Sequence, residues 1–118
     1  MDESILASIR KMIGGAILPE WEQGPFDLDL IMHINMALQI LNQLGVGKED
    51  FQIYDTDQTW REFLGRDFKN LNMVKPYVYL RVRLLFDPPA SGTLMQALKE
   101  QIAELEWRLN TKVDRGRE

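Results

Sequence analysis

The chain has no cysteine and a single histidine, His33, among 118 residues. The first absence excludes disulfides, thiolate metal sites and cysteine nucleophiles, and it suits a reducing compartment. A lone imidazole inside an apolar segment reads as a hydrogen-bonded core or interface residue, because no serine or carboxylate stands at a spacing that would orient it for catalysis. Nothing approaches the ~20 consecutive apolar residues of a bilayer crossing. The start, Met1-Asp2-Glu3-Ser4, lacks the basic region and apolar core of a signal peptide. An intracellular, soluble chain is therefore expected. Low-complexity segments and internal repeats are also missing, and 45% hydrophobic with 27% charged residues is ordinary globular composition. The length fits one domain with one modest core.

The motifs that usually announce chemistry are equally sparse. Asp55-Thr56-Asp57 resembles an acidic metal loop, but Trp60 stands where the calcium-loop turn needs glycine and Arg66 where the bidentate glutamate belongs. An Asx turn is the expected use of these aspartates; an enzyme with a carboxylate site at Asp55 and Asp57 is the remote reading. Gly45-Val46-Gly47-Lys48 lacks phosphate-loop spacing and reads as a helix stop. No catalytic residue, metal site or cofactor is expected. Sequence-specific nucleic-acid binding lacks support as well, since the pI is near 5.0 and Arg81 and Arg83 would lie about 200° apart on a helix.

What is present is helical. Asp2 or Ser4 can cap a first helix whose Ile5, Ile9, Met12 and Ile13 share a face and which Gly14-Gly15 stops. A linker, Gly14 to Pro25, follows, with Trp21 either closing the core or anchoring a partner. A second helix, about Asp27 to Leu44, is apolar over more than one face, so it is central or shared with another subunit. Residues 46–58 read as an irregular or weakly β arm that projects from the body. Thr59 and Glu62 form a capping box for a short helix, Trp60 to Leu64. Ser91 caps a last helix with Leu94, Leu98, Ile102, Leu105 and Leu109 along one stripe and an exposed Glu104–Arg108 pair. The expectation is an all-α bundle of four main helices plus a short one, a single domain over 1–110, and a flexible tail at 111–118.

The run from Asn70 to Pro89 holds the main ambiguity. Tyr77, Tyr79, Arg81 and Arg83 alternate with Val78, Leu80, Val82 and Leu84 in a strand-like period of two. Its length, and the stop at Asp87-Pro88-Pro89, favour a helix from Leu71 to Phe86. The two arginines suit carboxylate pairing, one inside the fold and one across a subunit boundary, or solvated heads above apolar stems. Charge is polarised along the chain: residues 1–57 carry ten acids and three bases, residues 58–118 eleven bases and eight acids. Such polarity permits head-to-tail contacts between copies, unless folding interleaves the halves.

Three blocks, Asp29-Leu30-Ile31-Met32-His33-Ile34-Asn35, Gln43-Leu44-Gly45-Val46-Gly47 and Val74 through Pro89, closed by Glu106-Trp107-Arg108-Leu109-Asn110, resemble the head–tail connector (adaptor) proteins of long-tailed, siphovirus-like bacteriophages. Pro76 departs from the family pattern, and a kink or a helix start near Lys75 would accommodate it. The resemblance implies a structural virion protein, not an enzyme. It would form a ring of about twelve copies in the neck, extending the DNA channel between the portal and a stopper or tail-completion protein. Before assembly it would reside in the host cytoplasm. On this reading Tyr77, Tyr79, Arg81 and Arg83 serve the subunit interface, and Trp107, Arg108, Lys112, Arg115 and Arg117 bind the portal. Glu49, Asp50, Asp55 and Asp57 line the channel and repel passing DNA without reading its sequence. The alternative is a cytoplasmic helical adaptor that binds a partner and never forms a ring.

Overall fold

The computed structural model describes residues 3–14, 27–86 and 88–117, with side chains through Thr111. Asp2, the 15–26 segment with Trp21, and Asp87 lie outside the described residues. The architecture is all-α: α1 (Ile5–Gly14), α2 (Asp27–Gln43), a short α3 (Trp60–Leu64) continuing into a 3-10 turn (Gly65–Asn70), α4 (Leu71–Phe86) and α5 (Gly92–Arg117). Ser4 caps α1, its Oγ accepting from the Ala7 amide at 3.2 Å, and Ile5, Leu6 and Ile9 enter the core.

α2 starts with Asp27 and Asp29 in its first turn, where anions meet the positive end of the helix dipole. It ends in a Schellman motif. Gly45 takes φ 90°, its amide donates to the Asn42 carbonyl at 2.9 Å, and the Val46 amide donates to the Leu41 carbonyl at 2.8 Å. The apolar contact that accompanies such stops is supplied by Leu41 and Val46, both fully buried.

The 46–58 arm does not project from the body. Val46 and Ile53 are core residues, and Phe51 packs on Phe63 with ring centroids 5.4 Å apart. Asn35 of α2 holds the arm at both backbone poles of Ile53, its Oδ1 accepting from the Ile53 amide at 2.8 Å and its Nδ2 donating to the Ile53 carbonyl at 3.1 Å. The arm contains no strand; the β-like pairing is a single antiparallel bridge, Ser4 with Thr59. Around that bridge the Ile5 amide donates to the Gln58 carbonyl and the Trp60 amide to the Glu3 carbonyl, at 3.0 and 3.1 Å. The Trp60 indole N–H donates to Ser8 Oγ at 2.9 Å inside the core. Thr59 and Glu62 close the expected capping box.

Helical period, not alternation, decides α4. Val74, Val78 and Val82 recur every four residues and are fully buried, as is Tyr77, whereas Leu80 is half-exposed. Pro76 lies inside this helix. The helix begins five residues before it, at Leu71, rather than near Lys75. The Asn72 carbonyl that would accept from position 76 belongs to an exposed residue, where water can solvate it. α5 packs chiefly on α4. Ser91 Oγ accepts from the Leu94 amide at 3.4 Å, but Leu94 itself is 58% exposed, so the buried stripe begins at Leu98 and continues through Ile102 to Leu109. The α5 backbone remains helical through Arg117, seven residues past Asn110.

Gly47 provides a test of this packing. Its φ is 83°, and a Cβ there would overlap the ring of Phe63, which is fully buried and has nowhere to retreat. Gly47→Ala is expected to cost about 2–4 kcal/mol, the sum of backbone strain and overpacking. At Gly65, φ 51° and ψ −116° with open space around the position, the same change meets backbone strain alone, about 1–3 kcal/mol. Urea denaturation of the two variants checks the order.

Candidate functional site

Among the described residues no group of three or more His, Asp or Glu side chains could hold a metal ion. His33 is half-buried, and its Nδ1 is buried without a hydrogen-bond partner among the described residues. Asp55 forms the expected Asx turn, its Oδ1 accepting from the Asp57 amide at 2.8 Å. One polar network joins two of the helices.

That network joins α4 to α5. The Tyr77 hydroxyl and the Arg81 guanidinium both donate to Glu106 Oε2, each at 2.6 Å, while Arg81 Nε donates back to the Tyr77 oxygen at 3.1 Å. The triangle closes because Tyr77 and Arg81 are one helical turn apart and Glu106 lies on the inner side of α5, four residues after Ile102 and three before Leu109. Burial pushes the Tyr77 hydroxyl far above its ordinary range, and the bond to Glu106 pushes it further. Burial alone would lower Arg81, but its bonds to Glu106 and Tyr77 outweigh this and leave it raised. Burial alone would raise Glu106, yet the bonds from Tyr77 and Arg81, with the Arg81 charge, hold its carboxyl below the usual value.

Of the four residues expected at a subunit interface, two are thus engaged within the chain, Tyr77 in the core and Arg81 on Glu106. Tyr79 and Arg83 are half-exposed on the outer side of α4. Arg83 has no ion-pair partner among the described residues. The two halves of the chain do interleave, through Lys75 with Glu3 at 2.8 Å, while Arg10 pairs with Asp27 at 3.4 Å within the first half. Even so, Glu49, Asp50, Asp55 and Asp57 stay exposed on the arm. Trp107 is 68% exposed on α5, and Arg108 pairs with Glu104 at 2.8 Å in the expected i,i+4 geometry. The side chains of Lys112, Arg115 and Arg117 lie outside the described set. Glu106 had a sequence signal, an acid set within the apolar stripe of α5. The Asn35 clamp had none, because its partner is backbone.

The family model described as phage connector protein matches residues 5–116. The chain belongs to that family. No curated protein and no solved structure matches it. A phage connector has a structural role in joining head to tail. Among the described residues of this connector no helix is long and apolar enough to cross a membrane.

The α4–α5 network is testable by pH. Because folding lowers the Glu106 value from its ordinary 4.5, its stabilisation is complete above about pH 4.5 and is lost as the pH falls through the lower, folded value. Glu106→Gln should cost about 1–2 kcal/mol at neutral pH, the scale of a hydrogen bond to a charged group. The gap to the unaltered chain should close in acid, as measured by denaturant titration across pH 3–7.

Proposed function

We propose that this connector assembles as a ring of about twelve copies in the neck of a long-tailed phage, between the portal and a stopper or tail-completion protein. There it extends the channel through which DNA is retained and ejected, after a cytoplasmic life as free subunits. The observation that carries the reading is the family match along 112 of the residues, 5–116. Three features of the fold support it. The four acids Glu49, Asp50, Asp55 and Asp57 are exposed on an arm that Asn35 pins in place; negative side chains at fixed positions would keep DNA phosphates from adhering to a channel wall. Trp107 stands exposed on a helix 26 residues long whose far end carries Lys112, Arg115 and Arg117, a form suited to a partner with an acidic groove, here the portal. Tyr79 and Arg83 remain available for a neighbouring subunit, with Tyr77 and Arg81 fixing the helix that presents them.

Light scattering of the chain mixed with the portal protein of its own phage should give a complex heavier than portal by a ring of subunits. A chain that stays monomeric beside the portal would instead indicate a cytoplasmic adaptor. Neutralising Glu49, Asp50, Asp55 and Asp57 together should leave the complex intact and slow DNA ejection from assembled particles. Unchanged ejection removes the acids from the channel.

A further inference from the structure

α2 is apolar on two opposite sides, and among the described residues one of them is buried and the other exposed. Leu30, Ile34, Ala37, Leu38 and Leu41 are buried. Leu28, Met32 and Met36, spaced i, i+4 and i+8, are 79%, 55% and 49% exposed. At ~100° per residue the centres of these two stripes lie about 180° apart. Tyr54, 70% exposed, borders the same region, since Leu28, Ile31, Tyr54 and Asp55 line one shallow cavity of about 250 Å³. Single exposed apolar residues are unremarkable, but a contiguous stripe along a helix marks an interaction surface.

The charges around the stripe identify what covers it. α2 contains Asp27 and Asp29 and no lysine or arginine, and Asp29 and Asp55 have no ion-pair partner among the described residues. α4 is the reverse: it contains Lys75, Arg81 and Arg83 and no acid. Its outer side, centred about 130° from Val74, Val78 and Val82, presents Pro76, Tyr79 and Arg83, all half-exposed, with Tyr79 also packed in part against the core. One face is therefore apolar with an acidic edge, the other aromatic with a basic edge. α2 and α4 pack on each other, and the two faces, exposed or half-exposed, are separate surfaces of one body.

We propose that the outer α2 face of one copy, Leu28, Met32 and Met36 with Asp29 and Asp55, receives the outer α4 face of the next copy, Pro76, Tyr79 and Arg83. The inference rests on the ring reading above and specifies which surfaces make it. Two copies meeting through α2 alone would bring together two faces that carry acids and no lysine or arginine to pair with them, which charge complementarity disfavours. Two different faces of the same chain give a heterologous contact, the kind that propagates around a ring.

The absence of cysteine makes the contact directly testable. Met32→Cys with Tyr79→Cys in one chain, assembled on the portal and treated with a bismaleimide, should give a ladder of covalent multimers on a denaturing gel. Each single variant should give none. Arg83→Cys replaces Tyr79→Cys if circular dichroism finds that variant unfolded. Dimers from M32C alone would overturn the proposal in favour of an isologous α2 contact. Assembly on the portal by mass, without cross-linking of the double variant, would overturn the proposal while leaving the ring reading intact, with another protein or the 15–26 segment as the cover of α2. No assembly at all would overturn both.

Discussion

The structure depends on the burial of α4. α1, α2, α5 and the 3-10 turn all pack against it, and Val74, Tyr77, Val78 and Val82 are each fully buried, each such side chain worth about 1.5–3 kcal/mol in removed apolar surface. A 16-residue helix so placed must satisfy its polar groups internally or at its outer edge. Arg81 and the Tyr77 hydroxyl are satisfied by Glu106, which is why α5, otherwise attached along one stripe, has a defined orientation on the body. The outer edge of α4 is what remains for a neighbour.

The same constraint shapes the rest. With α4 occupying one side of α2, the arm after Gly45 can reach the core only by folding along α2, and Asn35 supplies the two hydrogen bonds that an edge strand would otherwise receive from backbone. The arm in turn positions Thr59 to cap α3 and Trp60 to meet Ser8, so the N-terminus is tied to the middle of the chain by two backbone hydrogen bonds and one indole bond. A small fold held this way has little to spare for moving parts. Its outward surfaces are fixed in relation to one another, which is what a component of an assembly requires.

Local chemistry made much of this legible in the sequence. The Thr59–Glu62 box, the Gly45 stop, the Ser91 cap and the limits of α4 each follow from a few neighbouring residues. Arrangements made at a distance were harder to read. The arm reads as projecting because nothing near Ile53 announces that Asn35 will bind it, and Leu94 fits the α5 stripe although α4 offers nothing there to cover it. The 3-10 turn at Gly65–Asn70 has no periodic signature at all. For the assembly surfaces, composition was the guide: an α2 apolar over more than one face, central or shared, and a largely apolar α4 that carries two arginines. Tyr77 and Arg81 show its limit, since Glu106, 25 residues beyond Arg81, binds both within the chain.

The central claim is that this connector is one repeating unit of a ring whose neighbours meet through α2 and α4. A cryo-electron microscopy reconstruction of the chain bound to its portal tests it most directly. The account predicts a closed ring in which Leu28, Met32 and Met36 of each subunit are covered by Tyr79 and Arg83 of the next, with the arm acids toward the lumen. Subunits attached singly to the portal, or a ring in which the outer α2 stripe remains open to solvent, would contradict it.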